Sequence, residues 1–219
     1  MPRIETTQTT VYKFSELSDQ AKQHAIEKQS QYESSEGFDA ECVIDDAVNM
    51  AALIGIEIDT HAVKLMNNTT RQDPAVYYSG FCSQGDGASF EGRYAYRKGA
   101  PAAIKAETAS KGDRELLRIA TTLQEVQRRN FYQLTSRMGR GHNSNLYSHS
   151  GTMSVDVERY DEKPMTDDAE DTVKECMRDF ADWIYSQLEN EYDYRTGEEA
   201  CQEAIEINDY DFTEDGEMY

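Results

Sequence analysis

The segment MTDDAEDTVKECMRDFADWIYSQLENEY, residues 165–192, constrains the fold more than any other stretch. Val173, Met177, Phe180, Ile184 and Leu188 recur at steps of three and four, which places them on one side of a helix. Thr166 followed by acidic residues supplies the capping signal at its start. A helix of this length runs roughly 40 Å, and its stripe demands a surface to cover it.

The rest of the chain offers both helices and strands for that purpose. Val11–Phe14 reads as a short strand, and Ser15 or Ser18 can cap a helix carrying Leu17, Ala21, Ala25 and Ile26 to about Tyr32. The segment ESSEG breaks it. Phe38, Val43, Ala47, Met50, Ala51 and Ile54 mark a second helix closed by Gly55. AVYYSGF and ASFEGRYAYR are β-rich runs separated by CSQGDG, which predicts a hairpin ended by Gly99-Ala-Pro101. Asp113–Arg129 predicts a helix with Leu116, Leu117, Ala120, Leu123 and Val126 on one face. FYQLTSRM and LYSHSGTMSVDVERY predict a second hairpin around GRGHNSN, and GEEACQEAIEIN a short last helix. Strands and helices alternate too irregularly for βαβ units. The expectation is an α+β fold, a mainly antiparallel sheet of hairpins packed with about three to five helices. With no Pro-rich or Ser-rich linker, residues 1–219 read as a single domain with an acidic, mainly helical C-terminal region at about 166–219.

Composition narrows the setting. The longest apolar run, Met50–Ile56, is far short of the roughly 20 residues of a membrane span. The start MPRIETTQTT has no apolar core of a secretory signal, and Cys42, Cys82, Cys176 and Cys201 form no CxxC pair. Reduced thiols in a cytoplasmic protein without membrane contact are expected. Net charge is −20 and uneven. Residues 167–219 hold nineteen Asp and Glu against Lys174, Arg178 and Arg195, a net of −16. Residues 93–140 hold eleven Lys and Arg against Glu107, Asp113, Glu115 and Glu125, a net of +7. The halves can neutralise each other, or the acidic surplus can meet a basic partner.

No motif establishes an activity. The stretch SGFCSQGDGASFEG lacks the lysine of a phosphate loop and does not open a helix. Ser79, Ser83 and Ser89 lack the GxSxG elbow. DYDFTEDGE fails as a calcium loop because Glu214 stands where glycine is required. Catalytic residues, metal ligands and cofactors are therefore expected to be none. The glycines suit a turn, leaving Ser83, Gln84 and Asp86 at its tip. Asp168, Asp171, Glu175, Asp179 and Asp182 fall at helical spacing and form a line of charge. Arg128, Arg129, Arg137 and Arg140 with Phe131, Tyr132 and His142 form an aromatic–basic cluster.

VYKFSELSDQAKQHAIEK, YYSGFCSQGDGASFEGRY and AIEINDYDFTEDGEMY together resemble a poorly characterised group of phage and prophage accessory proteins. The resemblance spans nearly the whole chain and carries no catalytic residue over. It implies a small cytoplasmic protein made during infection, where host-takeover and anti-defence inhibitors are common. The leading expectation is an acidic, non-enzymatic protein that inhibits a host factor, such as a nucleic-acid-binding CRISPR or restriction system, with DNA mimicry as one route. Its partner is then a basic host protein or nucleoprotein complex, contacted by Asp168, Asp171, Glu175, Asp179 and Asp182 and by Ser83, Gln84 and Asp86. Two alternatives stand beside it. One is an enzyme acting on a small molecule or nucleotide near Ser83, Gln84, Asp86, His142 and His149. The other is a nucleic-acid binder using residues 128–140, which the overall negative charge disfavours.

Overall fold

The computed structural model describes Arg3 and residues 8–110, 112–141 and 147–219. In chain order the elements are β1 (Tyr12–Lys13), α1 (Asp19–Tyr32), α2 (Glu41–Ile54), β2 (Ile56–Ile58), β3 (Thr60–Lys64), β4 (Thr70–Pro74), β5 (Val76–Ser79), β6 (Gly87–Phe90) and β7 (Gly92–Ala95). They continue with α3 (Ala100–Glu107), α4 (Arg114–Arg129), β8 (Leu134–Arg140), β9 (Met153–Arg159), α5 (Ala169–Thr196), α6 (Glu198–Asn208) and β10 (Asp211–Phe212). Every strand pairing is antiparallel, so the fold is α+β with antiparallel sheets, as the sequence predicts.

The chain divides into two compact units, residues 1–39 with 190–219, and residues 40–189. The smaller unit is built from both flanks. Ser18 Oγ accepts from the Ala21 amide at 3.2 Å and starts α1. Phe14, Leu17, Ala21, Ala25 and Ile26 then pack with Cys201, Ile205 and Phe212. β1 pairs with β10 through Tyr12 and Phe212. This unit carries five Lys and Arg against eighteen Asp and Glu, a net of −13.

The larger unit holds a four-stranded sheet ordered β2-β7-β8-β9. Its alternation separates two faces. Ile56, Tyr94 and Ser136 stand in register and are buried, as are Met138 and Val155 one row over. The opposite face carries a row of charges, Glu57, Arg93, Arg137 and Asp156. The stripe of α5 is fully buried at Val173, Met177, Phe180, Ile184 and Leu188. Phe180 meets Phe90 of β6 edge-on, with ring centroids 5.6 Å apart.

Three ladders meet at one point that the sequence does not announce. The Asp59 amide donates to Glu91 O (2.9 Å), the Glu91 amide to Ala75 O (2.9 Å), and the Ala75 amide to Asp59 O (2.7 Å). This closed ring of backbone bonds joins the β2/β7, β3/β4 and β5/β6 pairs. Residues 60–74 form the β3/β4 hairpin. Gly99-Ala-Pro101 ends the strand as expected but also starts α3, with Pro in the first turn where its missing amide costs nothing. Gly55 caps α2 at φ +91°, and a Cβ there would stand 2.2 Å from Ala95 O.

Candidate binding surfaces

The acid line on α5 lies half against basic groups and half in solvent. Asp168, just before the helix, pairs with Arg129 at 2.7 Å. The Thr166 hydroxyl, with Arg129 beside it, holds the Asp168 carboxyl below the usual range. Arg118 donates to Asp179 at 2.7 Å and also to Glu115, and these two acids hold its guanidinium firmly protonated. Asp171, Glu175 and Asp182 are exposed and have no ion pair among the described residues. Beside Asp179 and Asp182, a depression of about 600 Å³ is lined also by Asp113, Glu115 and Trp183. The Trp183 indole N–H donates to Asp113 Oδ2 at 2.7 Å, so its ring is fixed in that wall.

The stretch SGFCSQGDGASFEG turns the chain between β5 and β6. Gly80 and Gly85 take positive φ (+26° and +100°). Asp86 Oδ2 accepts from the Cys82 amide (3.0 Å) and the Ser83 amide (2.7 Å), so this carboxylate holds the loop together. Ser83 and Gln84 are exposed at its tip. Phe90 enters the core, whereas Phe81 is half-buried in a loop stack between Tyr78 (5.9 Å) and Tyr185 (5.8 Å). His149 lies over Gly87, and its Nδ1 accepts from the Gly151 amide. Asp86 and His149 form no bond with each other among the described residues, and His142 lies outside them.

Tyr77 of β5 sits at the three-ladder junction. His61 stacks on it at 5.6 Å, the Arg140 guanidinium lies 4.3 Å from its ring centre, and its hydroxyl donates to Glu91 at 3.5 Å. Burial, with Glu91 nearby, pushes the Tyr77 phenol up. His61 Nδ1 and Ser89 Oγ are buried without a hydrogen-bond partner among the described residues.

The aromatic–basic cluster is rearranged relative to its sequence reading. Phe131 and Tyr132, assigned to a strand, form a turn instead, and β8 begins at Leu134. Both are left-handed, at φ +56° and +61°, a conformation costing a bulky residue about 1–3 kcal/mol. Two fully buried amides impose it. Gln127 Nε2 donates to Leu134 O (2.7 Å) while its Oε1 accepts from the Leu134 amide (3.1 Å). Asn130 Nδ2 donates to Val126 O and Thr166 Oγ1, and its Oδ1 accepts from the Thr166 amide, all at 3.0 Å. Arg129 and Arg137 are paired with Asp168 and Asp59, and Arg140 lies over Tyr77. Tyr96 joins the cluster instead, its ring 4.4 Å from that of Tyr132. Arg159 joins as well, 5.9 Å from the Phe131 ring. The sequence signal for this turn was an asparagine ending a helix directly before two aromatics.

These surfaces define an α+β protein with charged and aromatic faces, and no helix among the described residues is long and apolar enough to cross a membrane. Residues 40–198 match the family model described as Domain of unknown function (DUF8835), and the chain belongs to that family. The match begins where the larger unit begins. No curated protein and no solved structure matches the chain significantly.

Proposed function

We propose that this chain is a non-enzymatic binding protein whose acidic surface docks on a basic patch of a partner. In the setting implied by its resemblance to phage accessory proteins, the partner is a nucleic-acid-binding host factor that the contact inhibits. The reading is carried by Asp171, Glu175 and Asp182, which stay exposed and without an ion pair among the described residues although eleven Lys and Arg lie within residues 93–140. Internal neutralisation takes Asp168 and Asp179 and leaves these three. The depression beside Asp182 and Trp183, where four carboxylates outnumber the one cation Arg114, offers an aromatic-walled seat for a partner's Lys or Arg side chain. The chain's net charge of −20 adds a long-range field that speeds approach of a cationic surface.

Affinity capture from cell lysate, with the triple variant Asp171→Lys, Glu175→Lys, Asp182→Lys in parallel, tests this. The wild-type chain should retain a nucleic-acid-binding protein at low salt and release it as salt rises, and the variant should not retain it. Equal retention by both chains, or none by either at low salt, overturns the proposal.

A further inference from the structure

We propose that the turn after α4 is a single-stranded nucleic-acid site, with bases stacking on Phe131 and Tyr132 and phosphates meeting Arg97, Lys98 and Arg128. It shares no residue with the acid line on α5.

The first ground is what the strained turn presents. Phe131 is 74% exposed and Tyr132 44% exposed, and Tyr160, whose amide donates to Gln133 O at 2.8 Å, is 84% exposed. A turn this tightly held by Gln127 and Asn130 would accommodate glycine with less strain, yet it carries two large rings and turns them outward. Tyr96 braces Tyr132 from below the turn. Arg159 braces Phe131, and its own side chain is 7% exposed, fixed by Asp161 at 2.8 and 2.9 Å and by Pro164 O at 3.0 Å. Each of the two turn rings thus has one face or edge backed by a packed side chain and the rest open to a stacking base.

The second ground is the state of the neighbouring cations. Arg93, Arg118, Arg129 and Arg137 are each paired with an acid. Arg97 and Lys98 directly follow Tyr96, and Arg128 lies three residues before Phe131. All three are exposed, with no ion pair among the described residues. Of the acids around the turn, Asp161 and Asp168 are engaged by Arg159 and Arg129, while Glu125 and Glu158 are exposed with no ion pair among the described residues. Exposed rings and, within three residues of Tyr96 or Phe131 in the chain, cations with no ion pair among the described residues match a ligand with flat faces and negative charge, and only a single strand offers bases free to stack. The chain's net charge of −20 opposes approach at long range, and the Debye length of about 10 Å at 0.1 M salt confines that effect to short separations.

The test is fluorescence anisotropy of the full chain with a labelled oligo-dT and, as a base-free competitor, inorganic polyphosphate. Three phosphate contacts predict a log–log salt slope of about −2 for a single strand. Phe131→Ala with Tyr132→Ala should weaken oligo-dT binding by roughly tenfold or more while leaving polyphosphate binding in place. Arg128→Glu should weaken both and flatten the slope. Should the double alanine variant fold poorly, Phe131→Gly serves instead, since it suits the left-handed turn and should lose affinity while staying folded. Absence of oligo-dT binding at low salt overturns the proposal. So does binding that the ring variants leave unchanged, or capture of a protein by this face without any oligonucleotide affinity.

Discussion

Arg118 of α4 reaches across to Asp179 of α5, 2.7 Å away, and joins the basic stretch of the chain to its acidic helix. The pair is partly exposed, at 47% and 23% of the two side chains, so its worth is modest. Arg118→Ala should lower stability by about 1 kcal/mol, and the loss should shrink as salt is raised. Chemical denaturation at two ionic strengths checks this, and a loss independent of salt would speak for packing over charge.

Thiol reactivity follows burial. Cys42 and Cys82 are exposed, whereas Cys176 and Cys201 are buried. Burial, with Asp179 nearby, pushes the Cys176 thiol up to about 12, and burial raises Cys201 as well. A chromogenic disulfide reagent at neutral pH should therefore titrate two thiols rapidly in the folded chain and four in denaturant. Rapid reaction of more than two would contradict the packing of α5 and α6.

Asp161 gives a pH dependence of definite sign. The Arg159 bond holds its carboxyl below the ordinary value, so its contribution is present above the unfolded-state pKa and is lost as pH falls through the folded one. Asp161→Asn should be less stable than wild type at neutral pH. The gap should close in acid, below the normal carboxylate range, as read by melting temperature across a pH series.

At Phe131 the usual order of residues should invert. Glycine tolerates φ +56° and alanine does not, so Phe131→Gly should melt above Phe131→Ala, by the equivalent of about 1 kcal/mol. The opposite order would mean the turn relaxes out of the left-handed region once the ring is gone.

Ser89 offers a gain. Its buried hydroxyl has no partner among the described residues, so Ser89→Ala should be neutral or stabilising by up to about 1 kcal/mol. A clear loss of stability would show that the hydroxyl is satisfied in solution.

What could be seen in the sequence followed from side-chain periodicity. The α5 stripe is legible because apolar residues at steps of three and four have one way to be buried together, and all five are. The junction of Asp59, Ala75 and Glu91 is not legible, because it consists of backbone bonds that carry no side-chain signature. Phe131 and Tyr132 read as strand from their β propensity. The buried amides of Gln127 and Asn130 override that preference through Leu134 and Thr166, a tertiary effect no local window contains. The acids of the candidate surface were readable as a line. Which of them meet arginine was not, since Arg118 and Asp179 lie 61 positions apart.

The pairing of β1 with β10 has a consequence for synthesis. Tyr12 meets Phe212, so the first strand leaves the ribosome about 200 residues before its partner, on the order of ten to forty seconds at typical elongation rates. For that interval the apolar side of α1, with Leu17, Ala25 and Ile26, has neither Ile205 nor Phe212 to cover it. Residues 40–189 can complete their own core in that interval, so the small acidic unit assembles after the larger one.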